Sequence, residues 1–194
     1  MKATGHASAG PVAEGAGLYG LLMTRAAGLP NDDLFARMLV SQARGQGGLP
    51  PGLGLGSAGF TTLIKRHFPS LTLPGKLAES GLDGERRAER DDLLALLLEH
   101  RANQDLSELW MAEIVTAACM ANDHLWQDLG LWSRVDLSRL MTSNFPALAA
   151  KNDRDMKWKK FLYKQLCQQE GIYVCRSPSC EVCVDYAKCF GPED

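Results

Sequence analysis

Four of the six cysteines in this 194-residue chain fall within fifteen positions: Cys175, Cys180, Cys183 and Cys189, spaced C-x4-C-x2-C-x5-C. Three chemistries suit such a run. Structural zinc commonly uses two C-x2-4-C knuckles; Cys180 and Cys183 form one such pair, whereas Cys175 and Cys189 stand singly. An iron–sulfur cluster is wider than one ion, so a wrapping loop can supply its ligands one at a time. The opening C-x4-C-x2-C repeats the spacing of the first three ligands of plant-type ferredoxins, although those proteins are not helical. Soft thiolates also suit molybdenum held within a sulfide cluster. The third chemistry, a pair of disulfides, is disfavoured in a reducing compartment. The iron–sulfur reading is preferred, with zinc second.

Other residues bear on the same site. Cys167 lies eight positions before Cys175, near the end of an expected helix, and could add a ligand; a lone helical cysteine is more often a small core residue. Cys119 and His124, five apart across a helix junction, are further candidate ligands, weighed against packing and capping roles. Lys157, Lys159, Lys160 and Lys164, with Arg176 in the loop, could offset a negative centre or attract an oxyanion such as molybdate. Their alternative is a solvated helix face. His67 and His100 lie on amphipathic helices with no ligand partner in register, and His6 lies in the N-terminal stretch.

No G-x-S-x-G, H-E-x-x-H, Walker loop or dinucleotide fingerprint occurs. Residues 45–56 read GQGGLPPGLGLG, which lacks the GK[ST] ending of a phosphate loop and is taken as a connector. An enzyme reading would have to rest on the metal site alone.

The elements that must position the cysteines are helical. Helices are expected at 18–27, 32–44, 57–67, 85–102, 107–120, 123–130, 133–144 and 153–170. Their buried faces run through Leu34, Phe35, Met38 and Leu39, then Phe60, Leu63, Ile64 and His67, then Trp110 and Ile114, and finally Trp158, Phe161, Leu162, Gln165 and Leu166. Only residues 172–175 are β-like. The expected fold is all-α: an irregular multi-helix bundle closed by a cysteine-rich metal-binding loop. The division is a flexible tail at 1–17, a helical domain at 18–171 and the four-cysteine loop at 172–194, ordered by its metal.

Apolar residues make up 45% of the chain and charged residues 23%, and the net charge is −2. That balance provides no basic field for nucleic acid or an anionic membrane. The longest apolar run, residues 93–98, is far too short to span a bilayer. A cytoplasmic location with reduced thiols is expected.

The runs ACMANDHLWQDLGL (118–131), FPALAAKN (145–152), DMKWKKFLYKQLC (155–167) and CRSPSCEVCVDYAKCFGPE (175–193) resemble the NifQ family of bacterial nitrogen-fixation proteins. The resemblance covers residues 93–194. It implies a molybdenum donor for the iron–molybdenum cofactor of nitrogenase, carrying an iron–sulfur cluster that takes up molybdenum. It implies Cys175, Cys180, Cys183 and Cys189 as ligands, and the cofactor-assembly scaffold complex and the nitrogenase iron protein as partners. Two alternatives are a zinc-binding protein-interaction module and an iron–sulfur redox or electron-transfer protein.

Overall fold

A computed structural model describes residues 11–71, 86–169, 171 and 186–191, with main chain alone at 11–16. Among them are helices and one 3-10 turn, with no strand, as the sequence predicts. In chain order the helices are α1 (Pro11–Thr24), α2 (Asp32–Ala43), α3 (Gly56–His67), α4 (Arg87–Glu99), α5 (Leu106–Cys119), α6 (Leu125–Asp128), α7 (Arg134–Asn144), α8 (Pro146–Lys151), α9 (Trp158–Gln169) and α10 (Tyr186–Phe190).

Helix α5 is the axis. Eleven of its fourteen residues are buried, and a helix apolar all round must be enclosed. Its start is set by Asp105, whose carboxylate accepts the Ser107 N–H at 2.8 Å, a side-chain cap for an otherwise orphaned donor. Helices α3, α4 and α6 pack on it, α1 lies on α2, α7 on α8, and α9 on α4. One core joins them through Phe35, Leu63, Met111, Ile114, Phe145 and Leu162. No helix among the described residues is long and apolar enough to cross a membrane.

Several boundaries differ from the periodicity, each for a local reason. Helix α1 begins at Pro11 rather than residue 18; proline suits a first turn, where its missing N–H has no partner to lose. Helix α4 ends at Glu99 instead of 102, because the Ala102 N–H is drawn to the Asn144 carbonyl at 2.8 Å. Helix α6 starts at Leu125 instead of 123. There His124 is the N-cap, and its N–H donates to the Gln127 side chain at 3.2 Å. Helix α9 starts at Trp158 instead of 153. Asn152 spends its amide on the turn before it, donating to the Met156 carbonyl and accepting the Met156 N–H, both at 2.9 Å. Asp155 in that turn has φ 55°, a left-handed conformation that Asp tolerates better than most residues.

The glycine-rich connector is packed, not merely linking. Its 3-10 turn, Pro51–Gly54, drives Leu53 fully into the core. Gly54, at φ +80°, lies so close to α5 that a Cβ there would meet the Ala117 Cβ at 2.9 Å.

Residues 1–10 of the expected tail, residues 72–85, and residues 172–185 and 192–194 of the cysteine loop lie outside the described residues.

Candidate metal centre

Of the four clustered cysteines the described residues include Cys189; Cys175, Cys180 and Cys183 lie outside them. Cys189 sits in α10, whose Tyr186 and Phe190 rings stack 4.5 Å apart. Cys189 and Phe190 are partly buried against the core. The Cys189 carbonyl accepts the Lys157 N–H at 2.8 Å. Lys157 precedes the first residue of α9, and its own carbonyl accepts the Phe161 N–H at 2.9 Å. Cys189 is thus tied by its backbone to the N-terminal end of α9, where N–H groups otherwise lack partners. Its sulfur is a free thiol, with the Lys160 ammonium 3.7 Å away.

The α9 lysines divide between two roles. Lys160 faces the thiol. Lys159 turns inward: its ammonium donates to the Ala121 carbonyl at 2.8 Å and bonds the Asp128 carboxylate. The Asp128 side chain is 3% exposed and also accepts the Asp123 N–H at 2.9 Å. Lys159 therefore serves the fold rather than a metal. Lys164 is exposed.

The remaining candidates are scattered. Cys167 is a partly buried free thiol in the last turn of α9. Cys119 is the buried last residue of α5. Burial pushes its thiol up to about 12, so it stays protonated and is a poor ligand as placed. His124 spends its side chain on the cap of α6. Among the described residues no group of three or more His, Cys, Asp or Glu could hold a metal ion.

One polar constellation was not visible as such in the sequence. Asp32, His67 and Ser107 meet in the core where α2, α3 and α5 converge. His67 Nδ1 lies 2.5 Å from Asp32 Oδ1, and Nε2 lies 2.9 Å from Ser107 Oγ. The order Asp–His–Ser has the form of a nucleophile relay, but all three are buried and no substrate can reach the hydroxyl. Its part is structural: a neutral imidazole donates to Asp32 and accepts from Ser107. The stripe Phe60, Leu63, Ile64, His67 already placed this histidine on a buried face, and a buried histidine needs partners. His100 is likewise engaged, donating to the Leu96 carbonyl and accepting from Lys151, both at 2.9 Å.

Helix α8, the α8–α9 turn, α9 and Phe190 of α10 line a cleft of about 400 Å³. Lys151, Arg154 and Lys164 line it, with Asp153, Gln165 and Phe190.

The donor at Cys189 fits a negative thiolate-held metal centre. It is soft, partly exposed, fixed through its own main chain, and next to a cation that offsets negative charge.

The NifQ family model matches residues 34–191. The chain is 48% identical over 168 residues to a NifQ protein of Azotobacter vinelandii, covering 81% of this chain and 86% of that one. It is 37% identical to a NifQ homolog of Sinorhizobium fredii, covering 81% and 69%. It is 36% identical to a NifQ protein of Klebsiella pneumoniae, covering 84% and 99%. No solved structure matches it.

Proposed function

The chain belongs to the NifQ family, and on that premise we propose that it is a molybdenum carrier serving nitrogen fixation. It takes up molybdenum on a thiolate-held iron–sulfur centre and passes it on for assembly of the iron–molybdenum cofactor. Cys175, Cys180, Cys183 and Cys189 would hold the centre. The cofactor-assembly scaffold complex and the nitrogenase iron protein are the intended recipients. The chain acts as a donor without catalytic turnover.

The observation that carries this reading is the placement of Cys189. Its thiol is partly exposed, its main chain is anchored to the start of α9, and Lys160 stands 3.7 Å from its sulfur. An iron–sulfur centre supplies the sulfide that captures molybdenum. Cys189 would hold its part of that centre with a partly exposed thiol, and Lys160 would offset its negative charge. A carrier needs that openness; a purely structural zinc site is closed on all sides by its own ligands.

Protein purified without oxygen tests this directly, by iron, molybdenum and zinc analysis alongside an absorption spectrum. Brown protein that contains iron, and gains molybdenum when molybdate is supplied, is the expected result. Colourless protein with about one zinc per chain would overturn it.

A further inference from the structure

The cleft between α8, α9 and α10 belongs to no part of the centre described above, yet its lining is specific. Three cationic residues, Lys151, Arg154 and Lys164, line it together with one acidic residue, Asp153. Cationic side chains outnumber the carboxylate in this lining, which favours an anionic ligand. Its amides, Gln165 and Gln168, are joined by a hydrogen bond of 2.9 Å.

The cleft is also preorganised. Lys151 is held by His100 at 2.9 Å, and an ammonium has three N–H donors, so two remain for a ligand. The turn that carries Asp153 and Arg154 is braced from inside by the two Asn152–Met156 hydrogen bonds. It is braced from outside by Arg134, whose guanidinium bonds the Asp155 carboxylate at 2.9 Å. Lys164 has no hydrogen-bond or ion-pair partner among the described residues and can turn to a ligand. Phe190 of α10 forms part of the wall, and Lys164 stands one turn along α9 from Lys160, whose ammonium is 3.7 Å from the Cys189 sulfur, so the cleft and the thiol share the α9–α10 contact.

We propose that this cleft binds a tetrahedral oxyanion dianion and acts as the receiving site from which molybdate reaches the cysteine centre; this rests on the molybdenum-carrier reading. Molybdate, tungstate and sulfate share charge and shape, so competition among them measures which one the cleft prefers.

The test is equilibrium dialysis of the full chain against molybdate at low salt, with tungstate, sulfate and phosphate as competitors. Wild type is expected to bind one molybdate per chain, displaced by tungstate, with affinity falling as salt rises. Lys164→Gln combined with Arg154→Gln should weaken binding by roughly tenfold or more, since each removes a charge-assisted contact. Both positions are exposed, and an unchanged melting midpoint confirms that the double variant folds. Cys189→Ser should keep oxyanion binding while losing metal loading. Equal molybdate binding by wild type and the double variant, or none by either, overturns the proposal. Preferential retention of sulfate or phosphate over molybdate overturns it as well. Oxyanion binding at the cleft without iron or molybdenum loading would leave the cleft assigned and sink the carrier reading instead.

Discussion

His67 and Asp32, 35 residues apart in the chain, meet through Nδ1 and Oδ1 at 2.5 Å inside the core. The His67 side chain is 0% exposed. Burial holds its ring below the ordinary histidine range, and that outweighs the opposing pull of Asp32 and Asp105; Arg66 adds to the lowering. The folded chain thus keeps a neutral imidazole where the unfolded chain would take a proton below about pH 6.5. Stability stands at its full value above that pH and declines as pH falls from there towards the lower folded value. Urea midpoints at about pH 7.5 and about pH 5.5 should show the decline. In His67→Gln the decline should shrink, while overall stability drops by about 3 kcal/mol through the lost network.

Lys159 and Asp128 form the most enclosed ion pair of the α5–α6–α9 corner. Removing one partner leaves a charge without compensation in a poorly solvated place. Lys159→Met should cost about 3 kcal/mol, read as a lower melting midpoint. The neighbouring Lys160→Met should leave that midpoint nearly unchanged, because its side chain is exposed.

Lys160 should matter to the metal instead. Substitution by Met should weaken retention of the centre by roughly tenfold, as loss of a group supporting a ligand commonly does. Lys160→Arg should restore most of it. Iron per chain after dialysis against a chelator reads the difference. Equal retention in all three proteins would place Lys160 outside the centre.

Gly130 closes α6 at φ +68°, and a Cβ there would lie 2.8 Å from the Ser41 Cβ on α2. Left-handed backbone and contact add in one direction. Gly130→Ala should lower stability by about 2 kcal/mol, measured by urea unfolding.

Much of the bundle is legible in the sequence because amphipathic stripes report their own burial. Leu34, Phe35 and Met38 on α2, Phe60, Leu63 and Ile64 on α3, and Trp110 and Ile114 on α5 are all in the core. What periodicity misses is decided by partners far along the chain. Lys159 and Lys160 look interchangeable, yet one is captured by a carboxylate 31 residues back and the other by a thiol 29 residues ahead. Helix ends shift by the same cause, as the Ala102–Asn144 bond shows. The glycine-rich connector reads as a spacer, but Leu53 inside it is core, since residues free of side-chain bulk let the chain approach α5. For the site, the spacing of the four cysteines marks candidate donors, and the Lys160 ammonium beside Cys189 emerges only once α10 is set against α9.

The tether between Lys157 and Cys189 is made wholly of main-chain atoms. A side-chain exchange at 157 removes neither the donor nor the acceptor, so an alanine scan would pass over this position. Proline alone among the twenty residues lacks the N–H. The hold on Cys189 therefore passes through the main chain at the start of α9 rather than through the side chain of residue 157.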